Sequence, residues 1–329
     1  MIAHASRAAW LAWRADPTAH RIGASEVAAV LGLSPWVQPW EIWAQRHAPH
    51  LAPVHRGAEL EDGQRWEPRA LAVYELEHLP LVPFGERLAI ARPNPDGDAS
   101  YTHPAHPWLH CTPDALVCAV RHEAWGSTAD HAQVRGLVEV KTDRTLGARE
   151  AWPPDGTEIG DVDPTTDAAV WPVPVAYWLQ AQTQIACTGA GWCDLYVWLP
   201  SHAAMPESRR IRVWPHVGFA GVLEQVAAWR ERHLIGGEPP PVLDSDDAGR
   251  LALVRWRYPA PAVERDATAD EAEAIGRLLE LRERSREIEA TAQRVAVELR
   301  ERMADARVLR AFGATATISK SGSLLVRRA

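Results

Sequence analysis

Cysteine is scarce in this 329-residue sequence, with four residues and no CxxC pair. That spacing favours neither a zinc ribbon nor a redox dithiol, so we expect buried free thiols. Apolar runs also stay well short of the roughly 20 residues that a membrane-spanning helix needs, and arginines interrupt the N-terminal segment where a signal peptide would require apolar residues. The sequence therefore predicts a cytoplasmic protein that does not contact a membrane.

Positive charge is in deficit as well, since 35 Lys and Arg face 43 Asp and Glu for a net charge of −8. An acidic chain has no general attraction for a polyanion. A nuclease must nevertheless gather carboxylates around its metal ions, and net charge says nothing about local patches. The charge balance therefore neither supports nor excludes nucleic acid, while 47% apolar and 24% charged residues indicate a globular chain.

Periodicity predicts helices and short strands in the first two thirds of the chain. Ser25 is placed to cap a helix, which Gly32 ends. Further helices are predicted over 39–47, 57–77, 176–187 and 216–234. Short apolar runs predict strands over 88–91, 116–120, 136–140, 193–199 and 211–214, whereas the Pro- and Gly-rich segment 153–172 is predicted to be a loop. The pattern is typical of an α/β protein with a central sheet.

The composition changes at 236–247, where GGEPPPVLDSDD has the character of a linker. We therefore predict one domain over 1–235, a linker over 236–264 and a C-terminal module over 265–329. In that module, apolar residues recur every three or four positions from Ala274 to Leu299, as in a coiled coil or a helical hairpin. The tail from Ala314 to Arg328 is predicted to be a small β-hairpin that turns at Ser321 and Gly322.

The chemistry concentrates in Pro113-Asp114 and in Glu139-Val140-Lys141, 25 residues further on. Glu139 and Lys141 are two apart in an apolar strand, so they project from one face. If the strand after Asp114 is a neighbour, two carboxylates and an ammonium converge. Mg²⁺ prefers oxygen ligands, which Asp114, Glu139 and the Val140 carbonyl would supply, and Lys141 would activate water or offset phosphate charge. The alternative for Glu139 and Lys141 is an ordinary ion pair on a sheet surface.

Five motifs occur in order along the chain, and two of them contain this centre. They are Arg21-Ile-Gly-Ala-Ser25-Glu-Val-Ala-Ala-Val-Leu-Gly32, Gly63-Gln-Arg-Trp-Glu67-Pro68, Cys111-Thr-Pro113-Asp114, Gly136-Leu-Val-Glu139-Val-Lys141 and Tyr177-Trp-Leu-Gln180-Ala-Gln182. Together they resemble the YqaJ-like viral recombinases, relatives of the lambda-type alkaline exonuclease. The resemblance implies the PD-(D/E)xK restriction-endonuclease-like core, a mixed central sheet flanked by helices, here followed by a helical C-terminal module ending in a small β-hairpin.

The resemblance also assigns roles. It implies a Mg²⁺-dependent nuclease, with Mn²⁺ as an alternative ion, in which Glu67 joins Asp114, Glu139 and Val140 at the metal and Lys141 is catalytic. Tyr177 and Gln180 would hold the substrate or the lysine, and Arg21 and Ser25 would contact a phosphate. The implied reaction is 5′ to 3′ resection of double-stranded DNA ends in phage-type recombination, with a single-strand annealing protein as a partner and a homo-oligomer as a further expectation.

Three alternatives remain open at this point. An endonuclease of the same fold would share the metal centre, and a non-catalytic DNA-binding or assembly protein could keep a nuclease-like core. An iron–sulfur nuclease is disfavoured because Cys111 and Cys118 flank Asp114 instead of clustering downstream. His103, His106, His110 and Cys111 lack the spacing of a zinc site, and we expect the histidines to lie on the surface beside a DNA groove.

Overall fold

A computed structural model describes the chain except for residues 54–57, 80–84, 92–98, 123–133, 144–147, 161–171, 200–206, 243–248, 252, 255–264, 304–305, 312, 320–323 and 329. The chain divides into two compact units, Met1–Pro259 and Ala260–Ala329. Within the described residues, no helix is both long enough and apolar enough to span a membrane.

The first unit alternates helices with short strands. Its helices are α1 (Arg7–Ala15), α2 (Val27–Val30), α3 (Pro39–His47), α4 (Ala58–His78), α5 (Ala148–Ala151), α6 (Val175–Thr188) and α7 (Phe219–Trp229). Its strands are β1 (Ile2–Ala3), β2 (Ile22–Gly23), β3 (Gly85–Ala91), β4 (Ala99–Thr102), β5 (Leu109–Cys111), β6 (Ala115–His122), β7 (Val134–Thr142), β8 (Glu158–Ile159), β9 (Cys193–Leu199) and β10 (Glu207–Val213). A π-helical turn, Arg230–Ile235, continues α7.

The main sheet is mixed and has the strand order β3-β6-β7-β9-β10-β8. Strands β7 and β9 run parallel, as do β8 and β10, and the other neighbours are antiparallel. Along β9, Leu195 and Val197 join the core cluster that includes α6, whereas Tyr196 and Trp198 join the cluster that includes α4. Because successive strand residues face opposite sides, α6 and α4 cover opposite faces, and the predicted mixed sheet flanked by helices is confirmed.

A second, four-stranded sheet has the order β1-β4-β5-β2, with β2 parallel to β5. Its strands are two to four residues long, too short to show a period-2 pattern, which is why the sequence did not predict them. Strand β8 was also missed, since it lies inside the predicted loop 153–172 and pairs with Arg212 and Val213.

The start of the second helical segment differs from the prediction. Ser25 does not cap it, because it lies inside a 3₁₀ turn, Ala24–Glu26, whose preceding residue is Gly23. The Glu26 carboxylate accepts a 2.8 Å hydrogen bond from the Gly23 amide, and so takes the capping role. The prediction assigned the capping oxygen to Ser25 instead of Glu26, because Ser and Glu side chains can both accept hydrogen bonds from amides at a helix start.

Part of the predicted linker, 236–264, packs against the first unit. The Trp43 indole donates to the Gly237 carbonyl (3.2 Å), and Val242 and Leu253 pack against the cluster that contains Trp40 and Trp43. The compact first unit accordingly extends to Pro259. The assignment of the nuclease function to 1–235 and of a separate module to 265–329 stays a prediction.

The second unit contains one long helix and a small sheet. The helix α8, Ala269–Met303, is continuous over 35 residues, so the alternative of a helical hairpin is wrong. Strands β11 (Val308–Ala311), β12 (Ala314–Ile318) and β13 (Leu324–Arg328) form an antiparallel sheet. Strands β12 and β13 form the predicted pair, while the predicted turn at 321–322 lies outside the described residues.

Candidate metal and nuclease site

Neighbouring strands bring Asp114 and the Glu139-Lys141 pair together. Asp114 immediately precedes β6, whose first residue, Ala115, lies opposite Val138 of β7. The main-chain amide of Val140 donates a 2.8 Å hydrogen bond to Oδ2 of Asp114. The Asp114 carboxylate is therefore fixed beside the strand segment that carries Glu139 and Lys141.

Negative charge accumulates around Asp114. Burial raises the pKa of its carboxyl well above the usual value, and the nearby carboxylates of Glu139 and Glu67 raise it further, against the opposing effects of Lys141 and the Val140 amide. Like charges that lie close together disfavour ionisation of one another. The negative charge of Glu139 and Glu67 therefore favours a cation beside Asp114.

Glu139 is buried, and both of its carboxylate oxygens are occupied by protein donors. Oε1 accepts hydrogen bonds from Nζ of Lys141 (2.8 Å) and Nε2 of Gln180 (2.6 Å). Oε2 accepts from Nε2 of Gln184 (2.6 Å). These bonds hold the carboxylate in one orientation, which a group that binds a metal or substrate requires.

The Lys141 ammonium has three partners. It donates to Oε1 of Glu139 and to Oε1 of Gln180 (2.9 Å), and it lies 4.8 Å from the centre of the Tyr177 ring. Burial lowers the pKa of Lys141, but the Glu139 and Asp114 carboxylates outweigh that effect and leave the pKa raised. Lys141 is therefore a positioned cation in this arrangement, suited to offset negative charge.

One face of α6 supplies the residues that surround Lys141 and Glu139. Tyr177, Gln180 and Gln184 follow one another at steps of three and four, which places them on one side of a helix. Gln182 faces the other way, where it bonds the Trp214 carbonyl (2.7 Å) and the His216 amide (3.0 Å). Gln184 was not among the predicted site residues, although its four-residue step from Gln180 was a signal that could have identified it.

Aromatic side chains extend this face. The Tyr177 ring stacks on Trp152 at 5.4 Å and approaches the exposed Trp36 at 5.3 Å. The Trp152 indole in turn donates to Oδ2 of Asp143 (2.9 Å). Neither aromatic partner of Tyr177 was predicted, because both lie in loops far from it in the sequence.

Glu67 lies on α4, on the other side of the sheet from α6. Two turns further along this helix, Tyr74 donates a 2.7 Å hydrogen bond to Asp194, a fully buried carboxylate that also pairs with Arg212 at 2.8 Å. Residues seven apart share a helix face, so the bond from Tyr74 fixes the rotation of the helix that carries Glu67. Glu67 acts on Asp114 through charge.

Arg21 and Ser25 lie in the segment between α1 and α2. The Arg21 guanidinium donates to the Trp13 carbonyl (2.6 Å), pairs with Asp16 (3.6 Å) and lies over the Trp13 ring. Ser25 is exposed. Their phosphate contacts stay predictions.

The predicted surface position of the histidines is wrong for His110. It is 2% exposed and lies against Trp13. His103 and His106 stack on one another, and the Cys111 thiol points to the Gln184 carbonyl. His110, the His103–His106 pair and Cys111 therefore contact different groups, as the spacing that disfavoured a zinc site predicts.

The oxygen donors at this site suit an ion such as Mg²⁺, which keeps water and substrate ligands, better than a metal that protein side chains enclose completely. In the described part of the chain, no group of three or more His, Cys, Asp or Glu side chains is close enough to enclose an ion. Mg²⁺ commonly binds one or two carboxylates and completes its shell with water and substrate phosphate oxygens. Asp114, Glu139 and the Val140 carbonyl provide oxygen donors of that kind, with Glu67 nearby.

Two solved structures illustrate what the chain is similar to. They are an alkaline exonuclease (LHK-Exo) from Laribacter hongkongensis, 23% identical with a TM-score of 0.41, and the same protein in complex with dAMP, 22% identical with a TM-score of 0.43. Each comparison covers 69% of this chain and 94% of the other. Among curated proteins, no sequence matches.

The sequence model of the YqaJ-like viral recombinase domain matches residues 9–191, which is more than half of the 329 residues. The matched range includes Glu67, Asp114, Glu139, Lys141 and Gln180. The chain therefore belongs to the YqaJ-like viral recombinase domain family.

Proposed function

We propose that the chain is a Mg²⁺-dependent deoxyribonuclease that resects double-stranded DNA ends in the 5′ to 3′ direction during phage-type recombination. The observation that carries this proposal is the position of the Lys141 ammonium between Glu139 and Gln180, next to an Asp114 carboxylate bonded to Val140. Membership of a viral recombinase family supports a role on recombining DNA.

The site residues have two roles, which are to bind a metal ion and to stabilise negative charge on the phosphate. Asp114, Glu139, Glu67 and the Val140 carbonyl would hold Mg²⁺, or Mn²⁺ in its place. When bound, the ion polarises the scissile phosphate and lowers the pKa of water. Lys141 stabilises the negative charge that grows on the phosphate during hydrolysis. Gln180 and Tyr177 keep its ammonium in place, and Gln184 keeps Glu139 in place.

Substrate selection rests on different residues. Arg21 and Ser25 would contact the phosphate of a DNA end, because a guanidinium retains further N–H donors after it binds Trp13 and Asp16. The single strand that resection leaves would be the substrate of an annealing protein. An endonuclease with the same centre is the second candidate, since the ion and the lysine would act identically on an internal phosphate.

The test is digestion of linear and covalently closed circular duplex DNA with Mg²⁺. The sequence contains two lysines, Lys141 and Lys320, which provide a matched pair of variants. We expect wild type and Lys320→Ala to degrade only the linear DNA. We expect Lys141→Ala to lose that activity by about 100- to 1,000-fold, the usual effect of removing one charge-stabilising group.

Each other outcome changes the conclusion. Cutting of the closed circular DNA would indicate an endonuclease instead of an exonuclease. Equal activity of folded wild type and Lys141→Ala would move the centre elsewhere, and DNA binding without Lys141-dependent cleavage would favour the non-catalytic binding protein. Strand-specific labels at 5′ and 3′ ends read the polarity, and a preference for 5′-phosphorylated over 5′-hydroxyl ends that Arg21→Ala abolishes would support the phosphate contact.

A further inference from the structure

The helix α8 exposes apolar side chains along its length. At 1.5 Å per residue its 35 residues span about 52 Å. Leu281, Ile288 and Val295 repeat every seven residues and are 60%, 68% and 56% exposed. In proteins, a helix gains most of its stability from packing its apolar face against other groups. These exposed apolar side chains therefore predict a partner for α8.

The exposed residues belong to a heptad pattern. The positions usually labelled a are Leu278, Ser285, Ala292 and Leu299, and the positions labelled d are Ala274, Leu281, Ile288 and Val295. A repeat of 3.5 residues keeps one narrow seam facing another helix along its whole length. A flat protein surface does not require that repeat, so the pattern indicates that the partner is itself a helix.

Charges beside the seam identify the partner and its direction. The flanking g positions are Arg277, Arg284, Thr291 and Glu298, and the e positions are Ile275, Arg282, Glu289 and Ala296. In a parallel pair of identical helices, g faces the next e, so Arg284 would attract Glu289 of the partner subunit but Arg277 would repel Arg282 of the partner subunit. In an antiparallel pair, e faces e and g faces g.

The antiparallel arrangement satisfies the charges. Arg282 then faces Glu289 of the partner subunit, and Arg277 faces Glu298 of the partner subunit. Both contacts occur twice because of the two-fold symmetry. In the seam, Leu278 meets Val295 of the partner subunit and Ser285 meets Ile288 of the partner subunit, so that a small residue lies across from a large one at the centre.

We propose that α8 pairs with α8 of a second copy of this chain as an antiparallel two-stranded coiled coil, so that two copies dimerise through this helix. The two-fold axis passes between Arg286 and Glu287. The inference does not depend on the nuclease function, because it uses neither the residues nor the geometry of the metal site.

The test compares two valines on α8 in the full-length protein. Val295 is a seam residue that is 56% exposed, whereas Val297 lies on the outer face and is 52% exposed. Sedimentation equilibrium should show that Val295→Asp weakens dimerisation by about 100-fold or more, since each dimer loses two buried valines. Val297→Asp should dimerise like wild type, and circular dichroism should show both variants folded.

A charge exchange tests the direction. Arg282→Glu should weaken an antiparallel dimer by about 5-fold or more because it places glutamate against Glu289. The double variant Arg282→Glu/Glu289→Arg should restore it. In a parallel dimer, Arg282→Glu would instead remove the repulsion from Arg277 and strengthen association.

Several results would overturn the proposal. A wild-type monomer at all accessible concentrations would show that another surface or another protein covers the seam. A dimer that survives Val295→Asp, or that Val297→Asp disrupts equally, would place the interface elsewhere. Strengthening by Arg282→Glu would contradict the antiparallel direction.

Discussion

Gln184 donates a 2.6 Å hydrogen bond to Oε2 of Glu139, while Lys141 bonds the other oxygen of the same carboxylate. The amide oxygen of Gln184 also lies 3.5 Å from the Cys193 thiol. A residue that takes no part in the predicted ligand set thus fixes the orientation of a predicted metal ligand. Such supporting residues typically change metal affinity or activity by 10–100-fold when they are removed.

Replacement of Gln184 by methionine, which has similar volume and no N–H donor, tests this role. We expect Gln184→Met to weaken Mg²⁺ binding and to lower kcat by about 10–100-fold. Isothermal titration with Mg²⁺ measures the affinity without catalysis, and digestion of linear DNA measures kcat.

Gln182 provides the matched control on the same helix. Its amide makes two hydrogen bonds to main-chain groups at Trp214 and His216, away from the site. We expect Gln182→Met to lower the free energy of unfolding by about 1–3 kcal/mol and to leave Mg²⁺ affinity unchanged. An equal loss of Mg²⁺ affinity in both variants would show that Gln184 acts only through stability.

A buried ion pair should dominate the stability of the N-terminal segment. Nη2 of Arg46 lies 3.1 and 3.2 Å from the two oxygens of Glu26, and both side chains are buried. Arg46→Met should lower the free energy of unfolding by about 3–5 kcal/mol because it leaves a buried carboxylate short of a partner. Adding Glu26→Gln should recover part of that loss in urea unfolding, and a further additive loss would contradict the explanation.

Acid should destabilise the protein in two steps. Burial lowers the pKa of His110 to about 4, against the attraction of Glu26, so the neutral form is favoured in the folded state. The resulting stability is present above the ordinary pKa near 6.5 and is lost as the pH falls from 6.5 towards 4. His110→Gln should remove up to about 1.4 kcal/mol per pH unit from the slope of unfolding free energy in this range.

The second step belongs to Glu26. Although burial raises the pKa of Glu26, the guanidinium groups of Arg14 and Arg46 lower it to about 2. A depressed carboxyl pKa contributes stability above the ordinary value near 4.5, and this contribution is lost as the pH falls towards 2. Urea unfolding of Glu26→Gln between pH 5 and pH 2.5 should show a flatter dependence than wild type, and an unchanged slope would assign the acid sensitivity to other groups.

Gly136 should tolerate no side chain. A Cβ at this position would overlap the indole of Trp192, so Gly136→Ala should lower the free energy of unfolding by about 1–3 kcal/mol. Gly221, inside α7 with open space around it, is the control, and Gly221→Ala should raise stability by about 0.5–1 kcal/mol. Thermal unfolding measures both, and a neutral Gly136→Ala would mean that the indole moves at little cost.

The sequence alone determined the elements whose signals are local. Apolar periodicity predicted α3 and α6 almost to the residue, and a continuous apolar run predicted β9, because each segment is long enough to stand out and is bounded by turn residues. The two-residue step from Glu139 to Lys141 fixed their common face in the same way. The order of motifs also indicated the family, which the match over residues 9–191 establishes.

Only the tertiary structure decided which distant groups meet. Gln184, Trp152 and Trp36 reach the site because α6 packs across β7 and because loops return to it, and no local pattern encodes such contacts. The same holds for Glu26, whose carboxylate replaced Ser25 as the cap, and for the pair of Asp194 and Tyr74, which are 120 residues apart. Short-range propensity sets helices and strands, whereas the partners of a buried charge depend on how those elements are packed.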